Sequence, residues 1–202
     1  FAHAPVPARM KIFTSGGLGF IGGHFVDALL ARGDSVVAID MLSYASWPDL
    51  ARRGPNYRHI KSRLQELRVE HAGTGYDAIV HLAAESHVCN SITAPRRFVE
   101  SNVVGAAAIL EIARSLRVPR LLFVSTDEVT GPIAKGAKSL DETSAMNPTS
   151  PYAAAKAGAE LLAQAYAKTY GLPITIVRPC NTYGPRQYPE KLIPRAICRI
   201  LG

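Results

Sequence analysis

Short apolar runs alternate with longer segments whose apolar residues recur at helical spacing along most of the chain. The short runs are rich in β-branched residues and predict six strands, over residues 11–14, 35–39, 57–60, 78–81, 121–125 and 174–177. Most of these runs are apolar throughout, as strands covered on both faces should be. The alternation predicts an α/β fold, a doubly wound parallel sheet built from βαβ units.

The helical segments lie over residues 20–31, 63–70, 95–116 and 151–170. Gly33 and Gly171 follow the first and the last of them, where a left-handed residue commonly ends a helix. Residues 131–149 are rich in glycine, proline, lysine and serine. They predict a surface loop, a natural place for an active-site flap.

The first strand leads directly into the sequence Gly16-Gly17-Leu18-Gly19-Phe20-Ile21-Gly22, which opens the first helix. Glycines in this context indicate a dinucleotide-binding turn. Gly16 permits the tight turn, Gly19 lets a pyrophosphate approach backbone N–H groups, and Gly22 lets the helix pack close to the sheet. A glycine turn without any ligand is the alternative interpretation.

Asp40 supports the dinucleotide interpretation, because it ends the second strand at about 20 residues from the turn. An acid at this place accepts hydrogen bonds from the adenosine ribose hydroxyls and repels a 2′-phosphate. It therefore favours NAD over NADP. Arg63 is a counterweight, since a basic residue near the adenosine could accept that phosphate.

Tyr152 and Lys156 are four residues apart and project from one face of a predicted helix. An ammonium beside the phenol favours its ionised form, so we expect Lys156 to lower the pKa of Tyr152 and make it a base. Asp127 and Glu128 follow an apolar strand and offer a second acid/base couple. Together the four residues predict an oxidation followed by an elimination. The alternative is that the two acids merely cap a loop.

Composition narrows the class of protein. The chain has 202 residues, of which 48% are hydrophobic and 19% charged, as in an ordinary globular protein of one domain and part of another. The net charge of +7 suits anionic ligands. The basic residues are scattered and not interleaved with aromatic ones, so we expect no nucleic-acid partner. No apolar run approaches the ~20 residues that cross a bilayer, so we expect no membrane insertion.

The three cysteines are widely spaced and predict neither a disulfide framework nor a metal site. The histidines do not add the spacing of a metal-binding helix, so we expect no metal. Unpaired cysteines favour a reducing compartment, the cytoplasm. Residues 1–9 have no apolar core of signal-peptide length, and we interpret them as a flexible leader before Met10.

Several stretches together resemble the extended short-chain dehydrogenase/reductase family, and within it the dTDP-glucose 4,6-dehydratases. They are the glycine turn at 16–22, His81-Leu82-Ala83-Ala84-Glu85-Ser86-His87-Val88, Ser125-Thr126-Asp127-Glu128-Val129, Tyr152 with Lys156, Asn181-Thr182-Tyr183-Gly184-Pro185 and Pro189-Glu190-Lys191-Leu192-Ile193-Pro194. The likeness runs from about residue 10 to the end of the chain. It implies a Rossmann-type NAD-binding domain over residues 10–180, and over residues 181–202 the start of an incomplete sugar-nucleotide lobe.

The resemblance implies NAD-dependent dehydration of a nucleoside-diphosphate hexose, dTDP-glucose above all, to the 4-keto-6-deoxy sugar nucleotide. Tyr152 would take the proton of the sugar 4-hydroxyl while Thr126 hydrogen-bonds the same oxygen. Lys156 would hold the nicotinamide ribose. Glu128 would remove the C5 proton, and Asp127 would protonate the departing 6-hydroxyl.

The resemblance also implies supporting contacts and a quaternary structure. Residues along NAD would be Gly16, Gly19, Phe20, Ile21, Gly22, Asp40, Leu82, Ala83, Ala84, Ser101, Tyr152 and Lys156. Residues at the sugar or diphosphate would be Ser86, Thr126, Asn181, Lys191 and Leu192. The family commonly forms homodimers through its two long helices, here residues 95–116 and 151–170.

The chain departs from the family pattern at three places. Arg63-Leu64 stands where the dehydratases usually have Asp-Ile beside the adenine, Cys89-Asn90 replaces Asp-Arg, and Thr130 replaces a tyrosine near the sugar pocket. Family members also continue considerably beyond residue 202. We therefore expect the chain to bind NAD but to close poorly on its substrate.

Two alternatives stay open at this level. An NAD-dependent epimerase or decarboxylase of the same family would keep the C6 oxygen or release carbon dioxide. Epimerases usually have small residues at the positions of Asp127 and Glu128. A catalytically silent NAD-binding module would bind the cofactor without removing water from any sugar nucleotide.

Overall fold

The computed structural model describes residues 9–136 and 138–201, without the side chain of Arg52. The predicted leader therefore lies outside the described residues, except for Arg9. Six strands form one parallel sheet in the order β3-β2-β1-β4-β5-β6. They are β1 (Lys11–Ser15), β2 (Ser35–Asp40), β3 (Tyr57–Lys61), β4 (Ala78–His81), β5 (Leu121–Val124) and β6 (Ile174–Val177). The doubly wound parallel sheet is confirmed, with strand ends within one residue of prediction.

The strand order reverses between β1 and β4, and this reversal positions the site. β1 pairs with β2 on one side, where Ser15 is opposite Ile39, and with β4 on the other, where Ser15 is opposite His81. The chain leaves these two strands in opposite directions, so a crevice opens at their carboxyl ends. Ligands of open parallel sheets bind at such a switch point.

Seven α-helices lie among the described residues. They are α1 (Phe20–Ala31), α2 (Val69–Ala72), α3 (Val88–Thr93), α4 (Pro95–Phe98), α5 (Gly105–Ser115), α6 (Pro151–Tyr170) and α7 (Leu192–Leu201). Short 3₁₀ turns lie at Pro48–Arg52, Leu64–Glu66 and Asp127–Thr130. The predicted bounds of α1 and α6 are confirmed, and Gly171 ends α6 in the left-handed conformation. No helix in this part of the chain is both long and apolar enough to span a membrane.

The predicted helix over residues 95–116 is interrupted by a π-helical turn, Val99–Val104. Asn102 lies in this turn and is buried. Its side chain accepts a hydrogen bond from the Glu85 N–H at 2.8 Å and donates one to the Glu85 carbonyl at 2.9 Å. The widened turn thus brings an amide inwards to hold the loop that follows β4.

The helix predicted over residues 63–70 is wrong. A 3₁₀ turn at Leu64–Glu66 is followed by Leu67 in an extended conformation, and α2 begins only at Val69. Leu64 and Leu67 are both buried in the core that contains Ala106. Their burial against α5 needs one tight turn with three-residue spacing, and this tertiary contact overrides the local helical preference.

The core has a layer on each face of the sheet. Adjacent residues of β1 point to opposite faces, so Phe13 packs into the layer with Leu110 while Ile12 packs into the layer with Val26 and Leu29. The apolar runs read from the sequence are therefore strands covered on both faces.

Candidate active site

A cleft of about 670 Å³ lies at the carboxyl edge of the sheet, over the switch point. Its lining includes residues that follow β1, β2, β4, β5 and β6, together with residues of α1 and α6. The cleft collects 17 of the 19 different site residues named from the sequence. The two that do not line it are Asp127 and Leu192.

Gly16 and Gly22 permit a close approach of three backbone segments at the floor of the cleft. Gly16 has a φ of +74°, and a Cβ atom there would lie 2.7 Å from the backbone nitrogen of Ala83. A Cβ atom on Gly22 would lie only 2.0 Å from the Gly16 carbonyl oxygen. Only glycine satisfies both positions, so the turn, α1 and the loop after β4 meet in van der Waals contact.

The N-terminus of α1 faces this cleft without a side-chain cap. Its N-cap residue is Gly19, which makes no side-chain hydrogen bond, and Phe20 and Ile21 line the cleft next to it. The first N–H groups of a helix have no partner within the helix, and they carry the positive end of its dipole. The arrangement fits a pyrophosphate, because these donors are available to an anion.

Asp40 lies at the end of β2 and is 9% exposed. One carboxylate oxygen accepts a hydrogen bond from the Leu18 N–H at 3.1 Å, and the other accepts from the Leu42 N–H at 2.9 Å and the Ser46 hydroxyl at 3.1 Å. The side chain therefore joins the glycine turn to the loop after β2. A carboxylate offers about four acceptor positions, so it keeps capacity for one more donor such as a ribose hydroxyl.

The loop after β4 is held from beneath by a buried pair, Ser15 and His81. The Ser15 oxygen accepts hydrogen bonds from the N–H groups of Leu82 at 3.2 Å and Ala83 at 3.3 Å, and lies 2.7 Å from His81 Nδ1. With both donors directed at it, the serine gives its own proton to Nδ1, so the proton of the neutral imidazole lies on Nε2. Burial, with the nearby charge of Lys156, lowers the pKa of His81 to about 3.

Tyr152 and Lys156 lie on α6 with both side chains buried, and both line the cleft. The expected lowering of the tyrosine pKa is not found. Burial raises the pKa of Tyr152 to about 12, a hydrogen bond with Thr126 opposes the rise, and the charges of Glu128 and Asp127 add to it.

Lys156 contributes little to the phenol because its ammonium donates a hydrogen bond to the Val124 carbonyl at 2.7 Å. Burial lowers the pKa of Lys156 to about 8, while the charge of Glu160 opposes this shift. The helical spacing thus placed both groups in the cleft, but the rotamer and the buried surroundings decide how the two titrate.

The two adjacent acids have different surroundings. Glu128 lines the cleft, and its pKa is raised by burial and by the charge of Asp127, with Lys191 opposing the rise. Asp127 is exposed and accepts a hydrogen bond from the Thr126 hydroxyl at 3.3 Å. It also accepts from the Cys180 thiol, and this bond raises the pKa of Cys180. Adjacent carboxyl groups with unlike surroundings can serve as an acid and a base.

The residues expected near the sugar nucleotide are distributed as follows. Ser86, Asn181 and Lys191 line the cleft, and the Lys191 ammonium donates to the Ser86 carbonyl at 2.7 Å. Leu192 opens α7 and is 82% exposed. Thr130 is buried and donates to the Asp127 carbonyl at 2.7 Å, which stabilises the 3₁₀ turn of the two acids.

Sequence reasoning missed several residues that line the cleft. Ser43, Ala45 and Ser46 come from the loop after β2, whereas Gln187 and Tyr188 follow β6. Polar residues in irregular segments carry no periodic signal. Their closeness in sequence to a recognised motif was the signal that could have identified them as cleft residues. Ser43–Ser46 follow Asp40 closely, and Gln187 precedes Lys191 by only a few residues.

Comparison with known proteins agrees with this geometry. Residues 12–202 match the NAD dependent epimerase/dehydratase family. The chain belongs to that family, a conclusion that confirms the resemblance found in the sequence. It is 43% identical over 198 residues to a dTDP-glucose 4,6-dehydratase of Streptomyces niveus, an alignment that covers 92% of this chain and 57% of the relative.

One further sequence and one solved structure are similar to this chain. The low-salt glycan biosynthesis protein Agl12 of Haloferax volcanii is 44% identical over 195 residues, with 94% of this chain and 62% of the relative covered. The structure of DesIV, a dTDP-glucose 4,6-dehydratase of Streptomyces venezuelae with NAD and TYD bound, superposes with a TM-score of 0.89 at 43% identity. That superposition covers 95% of this chain and 62% of DesIV.

An epimerase has nearly the same fold. The UDP-N-acetylglucosamine 4-epimerase of Methanobrevibacter ruminantium M1 superposes with a TM-score of 0.88 at 31% identity, covering 96% of this chain and 63% of the epimerase. The chain thus spans about three fifths of the length of these relatives. Fold similarity is almost the same for the two activities, so the choice between them depends on the side chains of the cleft.

Proposed function

We propose that this chain forms the cofactor-binding and catalytic part of an NAD-dependent sugar-nucleotide 4,6-dehydratase acting on dTDP-glucose. One observation carries the proposal. Thr126, Glu128, Tyr152 and Lys156 line the same cleft as the uncapped N-terminus of α1. A dinucleotide with its phosphates on that helix reaches along the carboxyl edge of the sheet towards these groups.

The cofactor proposal is supported by fit. The N-terminus of α1 has no side-chain cap and can receive a pyrophosphate, and Asp40 has acceptor capacity for a ribose hydroxyl. The Asp40 carboxylate is committed to the backbone on both oxygens, so a 2′-phosphate would meet a fixed negative charge. NAD is therefore favoured over NADP. When bound, NAD would accept a hydride from C4 of the sugar and return it at C6.

Side chains of this protein carry out the proton transfers. Tyr152 takes the proton of the 4-hydroxyl, while the Thr126 hydroxyl, which donates to Asp127 in this structure, would turn to the same sugar oxygen. Because burial raises the tyrosine pKa, its base form needs a cation near the phenol. Lys156 lies on the same face of α6 and would meet this need if its ammonium turned from the Val124 carbonyl to the phenol.

The elimination step uses the acids after β5. The 4-ketone acidifies the C5 hydrogen, and Glu128 removes that proton. The 6-hydroxyl leaves as water with a proton from Asp127. Glu128 then returns its proton to C5, which gives the 4-keto-6-deoxy product. The raised pKa of Glu128 suits a group that must both take and return a proton.

An epimerase of the same family is the second candidate, and one observation favours it. Asp127 is exposed and does not line the cleft, whereas Thr126 and Tyr152 do. An epimerase would use only the hydride transfer at C4 and would need no acid at C6. The masses of the products separate the two candidates, because only dehydration removes a water from the sugar nucleotide.

The experiment is incubation of the purified chain with NAD and dTDP-glucose, followed by mass spectrometry of the sugar nucleotide. We expect slow loss of water in the unaltered chain, because the chain closes poorly on its substrate, and no dehydrated product in Glu128→Gln and Tyr152→Phe. Glu142→Gln is the control, since Glu142 is an exposed acid outside the cleft. An unchanged mass with inverted stereochemistry at C4 would refute the dehydratase and support the epimerase.

The domain division, the oligomer and the compartment are also proposals. Residues 10–180 would be the NAD-binding domain and residues 181–202 part of the sugar-nucleotide lobe, since α7 has no buried residue. A homodimer through α4–α5 and α6 is supported by Val99, Val104 and Leu161, which are 49%, 47% and 54% exposed on these helices. Light scattering would measure the dimer. Three free cysteines support a reducing cytoplasm.

A further inference from the structure

Residues 184–191, which we call the strap, follow β6 and cross the mouth of the cleft. β6 is at one edge of the sheet, but Gly184 already lies against Phe20 of α1. From there the strap contacts α1 and the loop after β2, and its last residue, Lys191, donates to the Ser86 carbonyl of the loop after β4. Both ends of the strap thus lie at the carboxyl edge of the sheet. A dinucleotide extended along that edge would therefore lie under the strap.

Contacts with α1 hold the first part of the strap. The Arg186 guanidinium donates to Asp27 Oδ2 at 2.7 Å and lies 3.1 Å from His24 Nδ1. His24 Nε2 in turn lies 2.9 Å from the Pro185 carbonyl oxygen. Burial raises the pKa of Asp27, but the hydrogen bonds and charges of Arg186 and Arg53 lower it below its usual value.

The same aspartate connects the strap to the glycine turn. Arg53 donates to Asp27 Oδ1 at 2.8 Å and to the carbonyls of Gly23 at 2.8 Å and Gly17 at 3.3 Å. The Arg53 side chain is 8% exposed. Strap and phosphate-binding turn are thus parts of one hydrogen-bonded network, and a displacement of one disturbs the other.

Two aromatic side chains of the loop after β2 hold the strap from the other side. The Trp47 indole N–H donates to the Arg186 carbonyl at 2.8 Å. The Tyr44 hydroxyl lies 2.8 Å and 3.0 Å from the two carboxylate oxygens of Glu190, and its ring packs edge-on against Tyr188 at 5.1 Å. Among the described residues that line the cleft, neither Tyr44 nor Trp47 occurs.

The backbone of the strap is strained at one point. Arg186 has a φ of +68°, the left-handed region that a residue with a Cβ atom rarely adopts. Such a conformation persists only where the surroundings impose it. The Trp47 bond to the Arg186 carbonyl and the Asp27 bond to the Arg186 guanidinium supply that constraint.

We propose that the strap encloses the bound dinucleotide and sets how long it stays bound, and that Tyr44 and Trp47 act as its positioning residues. The inference rests on the proposed NAD-dependent function, in which the cofactor is restored in every turnover. Gln187 and Glu190 of the strap line the cleft, and the ring of Phe20 lies 3.6 Å from a Cβ position on Gly184. Phe20 belongs to the phosphate-binding turn, so the strap lies directly against it.

The test measures dissociation of the cofactor. NADH is bound to the full chain, an excess of NAD⁺ is added, and the decay of bound NADH fluorescence gives the dissociation rate. Tyr44→Phe and Trp47→Phe each remove one hydrogen-bond donor and keep an aromatic ring. We expect each to raise the rate about three- to tenfold, the value of one net hydrogen bond.

Tyr166→Phe is the matched control. The Tyr166 hydroxyl donates to Glu111 at 2.5 Å, and this bond joins α6 to α5 away from the cleft. The control variant therefore also loses a tyrosine–carboxylate hydrogen bond. We expect the control to change thermal stability of the NAD-free chain as much as Tyr44→Phe does, without changing the dissociation rate. Equal NADH dissociation rates in the unaltered chain and both strap variants would overturn the proposed role of the strap but not the proposed cofactor. Absence of NADH binding to the unaltered chain would overturn the proposed cofactor and the strap with it.

Discussion

Replacement of Gly22 by alanine tests whether close packing of α1 on the glycine turn is a structural requirement. The new Cβ atom would lie 2.0 Å from the Gly16 carbonyl oxygen and 2.8 Å from the Gly16 carbonyl carbon. Real Cβ atoms essentially never approach a neighbour within 3.0 Å. Both neighbours are backbone atoms, so the turn must move away from the helix by about 1 Å instead of yielding through a side chain.

The energetic cost follows from this displacement. Overpacking costs about 1–3 kcal/mol and occasionally more, and a backbone contact of 2.0 Å lies at or above the upper end of that range. Alanine recovers about 1 kcal/mol of helix propensity. We expect Gly22→Ala to lose about 2 kcal/mol or more of the free energy of unfolding, measured by urea denaturation. It should also bind NAD weakly, since the N–H groups that receive the pyrophosphate move with the turn.

Two other glycine variants separate folding from binding. A Cβ atom on Gly19 would meet only the Gly16 oxygen, at 3.5 Å, so Gly19→Ala should fold normally. It should bind NAD at least about tenfold more weakly, because the methyl group enters the space of the pyrophosphate. Gly158 lies within α6, and its Cβ atom would lie 3.7 Å from Val103. Gly158→Ala should gain about 1 kcal/mol of stability and bind NAD unchanged. Unaltered stability and NAD affinity in Gly22→Ala would refute the packing argument.

Two further predictions concern buried charges. Neutral His81 should contribute its full stabilisation above pH 6.5, and the free energy of unfolding should fall by about 2 kcal/mol between pH 7 and 5, because the unfolded chain protonates His81 first. Urea denaturation of His81→Asn at both pH values should show a clearly smaller fall. Glu160→Gln should cost about 3 kcal/mol, because Glu160 is 1% exposed and its partner Arg178, only 16% exposed, would lose its counter-charge. Glu111→Gln, which breaks an exposed pair with Arg114, should cost far less stability, and equal losses for the two glutamates would contradict the burial argument.

The sequence by itself determined the sheet, the phosphate-binding turn and most of the lining of the cleft. Strands buried on both faces leave uninterrupted apolar runs, and a turn that needs glycine at Gly16 and Gly22 leaves a pattern within a few residues. Tyr152 and Lys156 were predictable as a pair because helical spacing alone places them on one face. These are local properties, and local properties are written in contiguous sequence.

Only the tertiary structure decided the features that depend on residues far apart in the chain. Leu64 and Leu67 form a tight turn and not a helix because α5 buries them. The pKa of Tyr152 rises and does not fall because burial and the acids after β5 act on its phenol. Tyr44 and Glu190 meet across 146 residues of sequence because the strap returns from β6 to the loop after β2. Side-chain orientation, desolvation and chain crossing arise from the packed molecule, and no periodic pattern of residues encodes them.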